Sequence, residues 1–90
     1  MPDLVVNSLT PTGGYDCSIT IEFCGAQHQL DARGVGREPF AHVQAFEPAR
    51  LFRDLPMSPF QLRELVRIAV DSCSGLTPRF PIRIPERHNP

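Results

Sequence analysis

The chain contains no lysine and no tryptophan. Every cation is therefore arginine, which grips anions through a planar fork rather than as a compact point charge. Arginine-only usage beside ten prolines has a simpler source in a GC-rich, bacterial-type coding sequence. Excess charge is missing too: nine arginines oppose ten acids, for a net charge of −1. That excludes a histone-like polycation and a charge-driven disordered chain. No apolar run approaches the ~18 residues of a membrane-spanning helix. Met1-Pro2-Asp3 lacks the basic and apolar regions of a signal peptide, so a cytoplasmic location is expected. There is no CxxC, and Cys17, Cys24 and Cys73 are an odd number, so reduced thiols are expected.

What is present suits one small α+β domain spanning residues 1–90, with loose ends at 1–3 and 86–90. Apolar residues make up 41% of 90, enough for a single core. Charge is uneven. Residues 1–32 hold Asp3, Asp16, Glu22 and Asp31 and no arginine, whereas all nine arginines fall in 33–90.

Residues 1–15 mix Leu4-Val5-Val6 with turn formers and read as a short edge strand followed by a loop. From Cys17 the pattern sharpens. Cys17, Ile19, Ile21 and Phe23 alternate with Ser18, Thr20 and Glu22, the period of a half-buried strand. Gly25-Ala26 suits a type II′ turn, which makes 17–33 a hairpin. That turn pairs residues whose numbers sum to 51, so Phe23 faces His28, Ile21 faces Leu30 and Ile19 faces Ala32. The other face pairs Glu22 with Gln29, Thr20 with Asp31 and Ser18 with Arg33. A slip of one residue would scramble both faces.

Residues 40–46 alternate between Pro39 and Pro48 and read as a strand. Volume would turn Phe40 and Phe46 inward, polarity Val43 and the alanines. Residues 48–54 read as a short helix with Pro48 near its first position. Ser58-Pro59-Phe60-Gln61 carries a capping box, S-x-x-Q, at the head of a long helix over 59–74. Leu62, Leu65, Val66, Ala69 and Cys73 form its apolar stripe, widened by Ile68 and Val70, and Gly75 closes it. Phe80, Ile82 and Ile84 alternate among prolines, so 79–84 is expected to dock as an extended edge. The expected fold is two-layered. Both helices cover one face of an antiparallel sheet of three to four strands, and the polar face opposite is solvated or a contact surface.

No constellation of catalytic residues emerges. Cys24 and His28 fall on opposite faces of the hairpin, and Cys17 lies about 20 Å from its tip, so no metal site is expected. Cys24 is an exposed thiol with Glu22 rather than a cation beside it, which works against activation. Arg33-Gly34-Val35-Gly36-Arg37 could cradle an anion, but it carries no GK[ST] and opens no helix. There is no G-x-S-x-G. Pro78-Arg79-Phe80-Pro81-Ile82-Arg83 matches PxxPx+ as a string, a pattern that edge-strand docking of Phe80, Ile82 and Ile84 explains better. Arg79, Arg83 and Arg87 could reach phosphates, though no aromatic pair offers itself for base stacking.

The expectation is a small, soluble, non-catalytic interaction or adaptor module that needs no cofactor. Its protein partner would meet the surface of Ser18, Thr20, Glu22, Gln29, Arg33, Arg79 and Arg83. The competing reading is nucleic-acid binding through Arg33, Arg37, Arg79 and Arg83, and an enzyme using Cys24 or His28 ranks third.

Overall fold

Cys17, Ile19, Ile21 and Phe23 do form the inward side of a strand. In the computed structural model, which describes residues 2–14, 16–32, 55–76 and 78–87, β2 runs Asp16–Phe23 with all four side chains buried. The hairpin partner β3 runs Ala26–Ala32. The turn is Cys24-Gly25, not Gly25-Ala26. Both residues have positive φ, 53° and 78°, the requirement of a type I′ turn rather than II′. The register therefore pairs Phe23 with Ala26, Ile21 with His28, Ile19 with Leu30 and Cys17 with Ala32. Moving the loop by one residue changes each pair sum by two, so parity is kept and each side chain stays on its expected face.

The left-handed conformation at Cys24 strains a residue with a Cβ, at roughly 1–2 kcal/mol. Asparagine tolerates it better and is favoured before glycine in this turn. Cys24→Asn is therefore expected to raise stability by about 1 kcal/mol, or ~5 °C in Tm. An unchanged or lowered Tm in a thermal melt would contradict this turn geometry.

The first strand corrects the reading of residues 1–15. Leu4–Gly13 is one strand, β1, and it is interior: the sheet order is β3-β2-β1-β4. The edge beyond it is β4, Ile82–Ile84, the core of the extended segment expected at 79–84. All pairings are antiparallel. Two register shifts, between Val6 and Ser8 and between Pro11 and Gly13, leave Asn7 and Thr12 as bulge residues. The first switches the inward set from Leu4 and Val6 to Leu9 and Pro11. β4 pairs only with Leu4, Val5 and Val6, so among the described residues Pro11 has a strand neighbour on the β2 side alone, an edge-like position that accommodates proline.

The long helix, α1, spans Pro59–Cys73 and follows its signals closely. The Ser58 hydroxyl accepts from the Gln61 amide N–H at 3.1 Å, and Gln61 Oε1 accepts from the Ser58 N–H at 2.9 Å. At the far end Gly75 has φ 89°. Leu76 N–H donates to the Asp71 carbonyl at 3.0 Å and Gly75 N–H to that of Ser72 at 3.3 Å, the paired bonds of a Schellman motif. On the wet side Arg67 bridges Glu64 at 2.7 Å and Asp71 at 3.3 Å.

Leu62, Leu65, Val66, Ile68 and Ala69 bury against β1 and β2, joined by Leu55 and Met57. The inner face of the sheet is ordered in rows: Ile84, Leu4, Phe23 and Ala26; then Ile82, Val6, Ile21 and His28; then Leu9, Ile19 and Leu30; then Pro11, Cys17 and Ala32. Among the described residues the result is an α+β arrangement of a four-stranded sheet with one helix on one face. The strand expected at 40–46 and the short helix at 48–54 lie outside the described residues. So does Arg33 at the hairpin's end.

One buried residue ties these elements together. Gln61 is wholly inaccessible. Its Nε2 donates to the carbonyl of Pro2 at 3.0 Å and to that of Ile84 at 3.3 Å. Next to it the Ser58 hydroxyl donates to the carbonyl of Glu86. Thus the chain before β1 and the chain after β4 both fasten to the head of α1.

Candidate functional surface

The side chains between the inward ones build the opposite face of the sheet. Its rows are Arg83, Val5, Glu22 and Gln27; then Ser8, Thr20 and Gln29; then Thr10, Ser18 and Asp31. Nine of these ten are polar. Glu22, Gln27, Gln29, Asp31, Ser8, Thr10 and Arg83 are exposed, and Ser18 and Thr20 are half-exposed. Gln29 Nε2 donates to the Ser18 hydroxyl at 2.8 Å, a bond between diagonal neighbours on adjacent strands. Arg83 lies 3.6 Å from the Asp3 carboxylate at the β4 side. Glu22 and Asp31 leave the β2–β3 side acidic.

Five residues of the expected partner surface therefore share one face: Ser18, Thr20, Glu22, Gln29 and Arg83. Arg79 is exposed in the segment leading to β4 and belongs to none of these rows. The sequence reading overlooked Ser8, Thr10 and Val5, because β1 was not recognised as a full strand. The bulge at Asn7 hides them. On either side of it the alternation is regular, and a search allowing one inserted residue finds both halves.

Other reactive groups are placed as follows. Cys24 is exposed within the turn, rather than on the polar face of a strand. His28 is half-buried opposite Ile21, not Phe23. Among the described residues, no three His, Cys, Asp or Glu side chains gather as a metal-binding group. No helix among them is long and apolar enough to cross a membrane.

Cys17 and Cys73 do meet. Cys17 is 2% exposed on the last inner row of the sheet, and Cys73 is half-buried in the last turn of α1. Cys73 packs against the core cluster that holds Cys17, and each thiol bears on the other's ionisation. Burial, then the neighbouring Cys73 sulfur, push the Cys17 thiol up to about 12. Burial also raises Cys73, while the neighbouring Cys17 thiol favours its thiolate. Cys73 is thus the more ionisable of the two. Sequence periodicity pointed both side chains inward, on separate elements, without pairing them.

Comparison with protein-family models, with curated proteins and with solved structures finds no match for this chain. Fold and site geometry therefore carry the functional argument.

Proposed function

We propose that this chain is a non-catalytic interaction module whose polar sheet face, opposite α1, receives a protein partner. The observation that carries this reading is the division of the sheet. One face is largely committed to α1 and the core, whereas the other presents ordered rows of serine, threonine, glutamine and mixed charge. Strand-borne side chains hold fixed spacings and lose little freedom on binding, which favours a defined partner. The charge pattern favours protein over nucleic acid. On the described rows phosphates would meet Glu22 and Asp31, and Arg83 already has Asp3 beside it.

The test compares the native chain with Thr20→Arg and Gln29→Arg, each a surface change expected to shift Tm by only a few degrees. Light scattering defines the oligomeric state, and affinity capture from an extract of the producing cells follows. A protein retained by the native chain and lost with both variants supports the proposal. A strict monomer retaining nothing, or the same proteins held by all three, counts against it. A mobility shift of DNA or RNA at low salt would instead favour the arginine-based reading.

A further inference from the structure

We propose that Cys17 and Cys73 are a closable disulfide pair that staples the start of β2 to the last turn of α1. This does not depend on the sheet-face reading. Two unrelated periodicities converge here. The strand period turns Cys17 inward, the helix period turns Cys73 toward the same sheet, and the folded chain packs Cys73 against the core cluster that holds Cys17, near enough for each thiol to bear on the other's ionisation. The remaining cysteine, Cys24, stands at the hairpin turn at the other end of β2.

The two positions divide the work. Cys73 is half-exposed and can be reached from solvent, whereas Cys17 is 2% exposed and can be reached only through its partner. A small-molecule disulfide such as oxidised glutathione is the co-reactant. The Cys73 thiol loses its proton, and its sulfur attacks one sulfur of that disulfide. The disulfide bond breaks, and one thiolate leaves and takes up a proton. The Cys17 sulfur, losing its own proton, then attacks Cys73 Sγ and displaces the second small thiolate. Two protein thiols are oxidised to one disulfide, and the co-reactant is reduced to two thiols. Burial and the neighbouring Asp16 keep both protein thiols largely protonated, so closure is slow near neutrality and accelerates as pH rises. Once formed, the bond closes most of the chain into a loop and restricts the unfolded state.

The experiment uses the full chain carrying Cys24→Ser, with the native chain in parallel. In that variant, cleavage after arginine yields peptide 1–33 with Cys17 as its one cysteine and peptide 68–79 with Cys73. After treatment with oxidised glutathione, free thiols are alkylated in denaturant and the protein is weighed and digested. The expected product has lost two hydrogen atoms and carries peptides 1–33 and 68–79 joined. Its Tm is raised by about 10 °C or more, and a thiol reductant reverses both changes. Cys17→Ser, treated alike, should stop at a glutathione adduct on Cys73. Recovery of alkylated Cys17 together with either alkylated Cys73 or a lasting Cys73–glutathione adduct would overturn the proposal. So would joined peptides that appear only when the protein is oxidised unfolded.

Discussion

Replacing Gln61 with leucine is expected to cost about 3 kcal/mol of folding stability, although leucine is apolar, helix-favouring and close in size. Gln61 sits where an apolar side chain would ordinarily be welcome, wholly buried in the first turn of α1. Its amide satisfies one donor and two acceptors: the Ser58 N–H, the Pro2 carbonyl and the Ile84 carbonyl. Leucine would leave all three without a partner, at about 1–3 kcal/mol for each group that water cannot reach. Gln61→Glu separates polarity from shape. It keeps an oxygen for the Ser58 N–H but turns the other toward two carbonyls. Ionisation is then disfavoured in the folded state, and the carboxyl's folded pKa lies above its unfolded value of about 4.3. The sign follows from linkage. The variant is closest to native below that unfolded value and loses stability as pH rises toward the folded one. Its Tm deficit should widen between pH 4 and pH 7, whereas that of Gln61→Leu stays flat. Equal deficits at both pH values would remove Gln61 from its role as the tie between the chain ends.

Leu4→Ala is expected to cost about 3–4 kcal/mol, a large share of the ~5–13 kcal/mol typical of a chain this size. Leu4 is fully buried and sits between Phe23 of β2 and Ile84 of β4. Truncation leaves a cavity flanked on two sides by paired strands, which cannot close over it without breaking register. Leu76→Ala is the control. Leu76 is 62% exposed beyond the end of α1, and its loss should move stability by less than about 0.5 kcal/mol. Denaturant melts of the two variants separate an interior β1 from a frayed edge. Similar small effects at both positions would mean that β1 does not lie at the centre of the sheet.

How far the sequence foretold this depended on local consistency. α1 was legible to its ends because Ser58, Gln61 and Gly75 each act through bonds to near neighbours along the chain. The hairpin was legible in its faces and misjudged in its turn, since parity survives a shift of the loop by one residue. β1 was legible only as a short edge strand, not as a long interior one. Asn7 and Thr12 break the alternation, and Pro11 argues against an interior strand unless the reach of β4 is known. Gln61 was recognised as a capping residue, but the two carbonyls that bury it come from opposite ends of the chain. The Cys17–Cys73 contact was hidden for the same reason: each residue's facing is a local matter, and their meeting is not.

The candidate surface follows from the same logic. Ser18, Thr20, Glu22 and Gln29 could be assigned to one face from alternation alone. Arg83 joined them once β4 was found beside β1, whereas Arg79 stayed apart.

The most direct measurement of the central claim places a photo-crosslinking residue at Thr20 on the sheet face and, separately, at Arg63 on the wet side of α1. Both proteins are irradiated in an extract of the cells that make them. The account predicts a defined heavier adduct from position 20 that disappears when Gln29→Arg is added, and no such adduct from position 63. An adduct from position 63 alone, or one from position 20 indifferent to Gln29→Arg, would show that the working surface lies elsewhere.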